Sequence, residues 1–299
     1  MRKALLKLLL IFSTVAHGQP YSRVIVFGDS YSDSERSYAI SKRTLESQMP
    51  GAVVAPALPF WNGRWSNGPT AVEMLAERLE IPLENHAVGG ALSGHGNANT
   101  LMNAFGNTGM LAQVMDYVEQ ARRADPKALY VLFASANDFF ALSTMPSREE
   151  LQALADRAVS NQIEALDRLL ERGANHVLVV GSTDLEMVPM VINAGHARQA
   201  AAFRDRINSE LQHRLAKSER YRAHVVFFNH AAFSTPVRED PQRLGFAEMS
   251  TACLRPGIEG QDPCGAPDSY YFWDDVHPTA HVHRLVAEAM HEALRQKQR

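Results

Sequence analysis

The chain has 299 residues, 45% hydrophobic and 21% charged, a balance that suits a folded globular protein and excludes a fibre or a disordered chain. Its formal net charge of −3 excludes the strongly basic face that a nucleic-acid partner demands.

Residues 1–18, MRKALLKLLLIFSTVAHG, come first. They join basic Arg2, Lys3 and Lys7 to an apolar run from Leu8 to Val15, with small Ala16 and Gly18 before a cleavage point. That pattern predicts a signal peptide and a secreted or periplasmic mature chain from Gln19, with net charge −6 once the three cations leave. An uncleaved N-terminal anchor is the alternative. Apolar, β-branched runs follow at 22–28, 83–88, 128–135, 176–182 and 223–229. Unbroken hydrophobic strands of this kind belong to a parallel sheet covered on both faces. Between and after them, residues 69–80, 110–123, 147–172, 197–217 and 279–296 carry apolar side chains at helical spacing. The alternation predicts one doubly wound, three-layer α/β/α domain over 19–299. Residues 31–67 and 230–276 fit neither pattern and read as long irregular insertions, which often build binding surfaces. The second insertion holds the only cysteines, Cys253 and Cys264; in an exported chain they predict a local disulfide, being too few for a structural zinc site.

The first strand runs into VIVFGDSYSDS, which sets Ser30 beyond its carboxyl end, where reactive groups of open α/β sheets sit. A serine that attacks an ester needs a base, a carboxylate to orient the base, and donors for the oxyanion. FWDDVHPT offers Asp274 three residues before His277, although a lone D-x-x-H is more often a solvated loop. In NHAVGGALSG the chain turns through Gly89 and Gly90, either to aim a backbone N–H into the crevice or simply to end a strand. FASANDFF supplies Asn137, whose amide is a neutral donor, and Asp138, read as a helix cap or turn residue. Met187, Met190, Phe139, Phe140, Trp61 and Trp65 suit either an acyl pocket or a core. His281 and His283 lie two apart in a helix and do not share a face, so no metal site is expected there.

In this order the segments FGDSYSD (27–33), NHAVGGA (85–91), SAND (135–138) and DDVHP (274–278) resemble the blocks of the GDSL family of SGNH hydrolases. GRWSNGP (63–69) is similar to a stretch common in the family's lipase-like branch. The resemblance implies a flavodoxin-like fold with a mainly parallel five-stranded sheet. It makes Ser30 the nucleophile, His277 the general base and acid, and Asp274 the orienting carboxylate, leaving Asp275 a bystander. The oxyanion donors become the backbone N–H groups of Ser30 and Gly90 with the Asn137 side chain. No cofactor is implied. The substrates implied are fatty acyl esters of phospholipids or lysophospholipids, with a sterol as an acceptor for acyl transfer. A short-chain or carbohydrate acetyl esterase, and a lipid- or glycan-binding protein on an inactive fold, are the other readings. Departures from the pattern are Tyr31 in place of leucine, Ser135 in place of glycine, and Ser34-Glu35-Arg36 after Asp33.

Overall fold

The structure, a computed structural model, describes residues 20–48, 51–134, 136–254 and 263–298; the leader expected at 1–18 and Ser135 lie outside them. Every residue of β1 (Val24–Gly28) and β3 (Leu129–Phe133) is buried, as are all but the first of β4 (His176–Val180). Successive side chains of a strand point to opposite faces, so a strand buried throughout must be covered on both. β2 (Leu83–Asn85) and β5 (Val225–Phe228) are the partly buried margins. All pairings are parallel, in the order β2-β1-β3-β4-β5, which is the expected flavodoxin-like five-stranded sheet. Such an order reverses its winding between β1 and β3 and opens a crevice beyond their carboxyl ends.

Among the described residues the helices are α1 (Arg36–Glu46), α2 (Ala71–Arg78), α3 (Met110–Ala121), α4 (Ala136–Phe140), α5 (Arg148–Glu171), α6 (Pro189–Asn193), α7 (Ala197–Lys217), α8 (Glu219–His224), α9 (His230–Glu239) and α10 (Ala280–Gln298). α2 packs against α10, while α3, α5 and α7 form a second row, and these two rows cover the sheet. Local chemistry sets the ends. α5 begins at Ser147, whose hydroxyl accepts the Glu150 N–H while the Glu150 carboxylate accepts the Ser147 N–H, a reciprocal cap. Beyond β2 the chain stays tied to β1, with His86 N–H on the Val26 carbonyl at 2.8 Å, while the Asn85 side chain takes the Ala87 N–H at 3.0 Å.

The two insertions are more regular than their sequences suggest. Residues 31–67 contain α1, whose buried face is Ser37, Ile40, Ser41 and Thr44. Hydroxyls there bond inward, Thr44 Oγ1 to the Ile40 carbonyl at 2.9 Å, so no apolar stripe marks the helix. Residues 230–276 contain α9, with Pro236 inside it and a buried face of His230, Ser234 and Val237, and a small parallel pair, β6 (Glu248–Ala252) with β7 (Tyr270–Phe272). Cys253 and Cys264 are joined, as the sequence predicts. Beside the disulfide, Cys253 N–H donates to the Phe272 carbonyl at 3.0 Å and Leu254 N–H to that of Trp273 at 2.6 Å. The bridge therefore sits against the strand that leads into Asp274.

Candidate active site

β1 and β3 meet closely where the crevice opens, and a Cβ on Gly28 would press on the Phe133 carbonyl oxygen at 2.5 Å. The Gln113 amide, reaching from α3, accepts the Gly28 N–H and donates to its carbonyl, both at 2.9 Å, and fixes the end of β1. Beyond it the Asp29 carbonyl accepts N–H groups from Ser32 and Asp33 at 3.0 Å, and its Oδ1 accepts Tyr31 N–H at 3.1 Å. Ser30 is left at the apex of this turn. Among the described residues its own N–H meets no acceptor.

The glycine pair is tied to the same turn. Val88 N–H donates to the Gly28 carbonyl at 3.1 Å, and Gly89 N–H donates to Asp33 Oδ2 at 2.8 Å and Ser37 Oγ at 2.7 Å. With Gly89 committed to this buried network, Gly90 is the one whose N–H has no acceptor among the described residues. Its φ of +79° and the Asn97 Oδ1 lying where a Cβ would stand both require glycine. Asn137, at the start of α4, donates from Nδ2 to the Ala91 carbonyl at 3.1 Å, which holds its amide one residue from Gly90 and leaves a second N–H on the same nitrogen. Asp138 lies in the first turn of α4. Its carboxylate receives the Ser93 N–H and hydroxyl, both at 2.8 Å, and so braces the loop after Gly90.

On the C-terminal side, His277 Nδ1 lies 2.8 and 3.0 Å from the two Asp274 oxygens, and Oδ1 also accepts the N–H groups of His277 at 2.5 Å and Val276 at 2.9 Å. A carboxylate on Nδ1 selects the tautomer with its proton there and leaves Nε2 as the acceptor. Tyr31 ties this loop to the Ser30 turn, its hydroxyl on the Val276 carbonyl at 3.2 Å and its ring 6.2 Å from the imidazole. Asp275 is half-buried, and its carbonyl accepts Met190 N–H at 2.9 Å.

GRWSNGP, a motif with no assigned task in the sequence, builds the other wall. Trp65 stacks on His277 at 5.3 Å, Ser66 Oγ donates to the Pro278 carbonyl at 2.8 Å, and Asn67 Oδ1 accepts Ala280 N–H at 2.8 Å at the start of α10. Two further supports went unread. Gln113 was visible as a polar residue on an apolar helix face, whereas Asn97 carries no local signal. His281 and His283 part company as expected, the first on the Asp268 carbonyl at 2.7 Å and the second buried against Ala71 N–H at 3.2 Å.

Burial dominates the electrostatics. Removal from water pushes the Asp29 carboxyl up to about 7, against a smaller opposing pull from Tyr31 N–H. Folded, Asp29 keeps its proton to near neutrality; unfolded, it loses it near pH 3.9. The folded state thus binds more protons across that window, and the group's stabilising contribution is full at low pH and lost as pH rises towards 7. Asp29→Asn is accordingly expected to flatten this part of the melting-temperature profile, the parent losing stability relative to the variant between about pH 4 and 7. A pH-independent difference would refute the assignment.

Over 302 residues the chain is 26% identical to the thermolabile hemolysin of Vibrio parahaemolyticus serotype O3:K6, covering 95% of this chain and 66% of that protein, just under two thirds of its length. It is 24% identical over 328 residues to the phosphatidylcholine-sterol acyltransferase of Aeromonas hydrophila, covering 95% and 93% of the two chains. A GDSL-like lipase candidate of known structure from Parabacteroides merdae aligns over 92% of this chain and 97% of its own, with a TM-score of 0.49 and 13% identity. The family model of the GDSL-like lipases and acylhydrolases matches residues 24–290, and the chain belongs to that family.

Proposed function

We infer that this chain is an exported serine esterase that cleaves fatty acyl esters of phospholipids or lysophospholipids through an acyl-enzyme. Ser30 Oγ attacks the ester carbonyl as His277 Nε2 takes its proton, and Asp274 stabilises the imidazolium that forms. The N–H groups of Ser30 and Gly90 and the Asn137 amide receive the oxyanion. His277 passes the proton to the leaving alcohol; it then deprotonates a water that attacks the acyl-enzyme, releasing fatty acid and restoring Ser30. Supporting these roles are the Asp274–His277 pair at 2.8 Å and two uncommitted N–H groups beside an anchored amide. The basic-then-apolar sequence pattern of residues 1–18 supports export.

One observation carries the choice of substrate. A mainly apolar cavity of about 220 Å³ lies among Phe139, Phe140, Leu142, Met145, Met190 and Val191, with Ser143, Thr144 and His196 supplying its polar part. It begins two residues after Asn137, and Met190 is bonded through its N–H to Asp275, so its walls join the proposed oxyanion donor to the Asp274 loop. Such a lining suits several methylenes and would stand empty behind an acetyl group. The Aeromonas relative bears phosphatidylcholine and a sterol in its name, which fits the same substrates. A sterol acceptor would require only that its hydroxyl replace water at the second step.

The test is fatty-acid release from lysophosphatidylcholine, beside a series of p-nitrophenyl esters from acetate to octanoate. Each buried methylene contributes about 0.8 kcal/mol and the series adds about six, so kcat/KM is expected to rise on the order of 10³-fold along it. A maximum at acetate with no release from lysophosphatidylcholine would replace the lipid reading with acetyl-ester hydrolysis.

A further inference from the structure

A stretch of chain beside the candidate site exposes apolar side chains that the chemistry does not use. From Gly51 to Gly63, GAVVAPALPFWNG, no residue is charged. Val53 is 69% exposed, Leu58 92% and Trp61 39%, and Tyr38 of α1 stands exposed next to them, its Cβ 3.0 Å from where a side chain on Gly63 would begin. A single exposed leucine is ordinary, but an uncharged loop presenting several apolar residues together marks a contact surface.

The loop is held in place rather than loose. Ser41 Oγ bonds the Ala55 N–H at 2.9 Å and its carbonyl at 3.1 Å, Trp61 N–H donates to the Ser66 carbonyl at 2.9 Å, and the Arg64 guanidinium lies over the Trp61 ring at 5.1 Å. Its inner side is fixed by Phe60, which packs against Trp65 at 5.8 Å and Trp273 at 6.4 Å. Trp65 in turn stacks on His277. One ring therefore separates the exposed loop from the imidazole, and whatever the loop rests on is brought to the mouth of the site.

We propose that residues 51–63, with Tyr38, dock the protein on a phospholipid surface, Leu58 and Val53 entering the acyl boundary and Trp61 and Tyr38 lying at the headgroup level. The choice of lipid over another occupant follows from this continuity with the site, and in that respect rests on the esterase reading. It also follows from composition. A loop without charge has no ion to strip of water on entering the interface, and tryptophan and tyrosine are the residues that favour a membrane interface.

The test separates docking from turnover. The Ser30→Ala variant of the mature chain is sedimented with phosphatidylcholine vesicles, with and without Leu58→Glu, and p-nitrophenyl butyrate hydrolysis is measured for Leu58→Glu with Ser30 intact. Losing one buried leucine is expected to weaken vesicle binding by about 10- to 100-fold, while turnover of the water-soluble ester stays within about twofold. Of the three tryptophans only Trp61 is exposed, Trp65 being half-buried and Trp273 buried, and emission is expected to shift to the blue on vesicles in the parent and to lose that shift in Trp61→Phe. Equal binding by both proteins, or binding abolished by high salt, would overturn the proposal. So would a parent that ignores vesicles but forms a dimer that Leu58→Glu dissociates, because that gives the loop to a second copy. Absent butyrate turnover with intact vesicle binding would instead sink the esterase reading and leave the surface standing.

Discussion

Ser30→Ala is expected to lower kcat on any ester substrate by about 10⁴-fold or more while leaving the melting temperature almost unchanged. The two halves of this result have separate causes. Among the described residues the Ser30 hydroxyl takes no hydrogen bond, and the turn that carries it is held by the Asp29 carbonyl and by Gln113, neither of which the substitution touches. Removing one oxygen from the apex thus costs the fold little. It costs the reaction its attacking atom, and what remains is the smaller acceleration that the oxyanion donors give to attack by water. Fatty-acid release under saturating lysophosphatidylcholine, together with a thermal melt, checks both halves. Retention of a tenth of the activity would mean that another group attacks.

Asp274→Asn is expected to cost about 10⁴-fold in kcat by a different route. Asp274 receives His277 Nδ1 together with the N–H groups of His277 and Val276. An asparagine oxygen can keep the backbone bonds, so the loop retains its shape. The amide nitrogen then faces Nδ1 as a donor and holds the imidazole in the tautomer whose proton sits on Nε2. That nitrogen can no longer accept a proton from Ser30. Asp275→Asn is the matched control, because the Asp275 group bonded to Met190 is its carbonyl, which the change leaves in place. The control is expected to stay within a few fold of the parent. If Asp275→Asn were the damaging change and Asp274→Asn mild, the orienting role would pass to the neighbour.

Much of the sheet was legible because it is buried on both faces. VIVFG and LYVLF are apolar at every position but the last glycine, and only a covered parallel strand tolerates that. The segments that frame the candidate site were legible for another reason, that each stands at the carboxyl end of such a strand or just before the last helix. α1 stayed hidden because serine and threonine form its buried face, so burial there left no hydrophobic trace. α9 stayed hidden behind Pro236. The place of Trp65 was unreadable in principle, since its partner His277 is remote in sequence and only the folded sheet brings the two rings to 5.3 Å. In sequence the loop at 51–63 reads as irregular; its lack of charge is legible there, but not which side chains the fold leaves outside.

Tyr31 and Val276, bonded to one another, are separated by 245 positions in the chain. Ser66 bonds the Pro278 carbonyl over 212. The nucleophile candidate is thus made almost first and its base almost last, and every early segment must wait for the final thirty or so residues before it meets its counterpart. Contacts of such long range also form slowly. On the proposed roles, a growing polypeptide accordingly holds Ser30 without His277 and cannot yet turn over an ester. A chain truncated ahead of Asp274 would lose α10 and the buried face it lays on α2 and β5, together with the residue proposed to take the serine's proton.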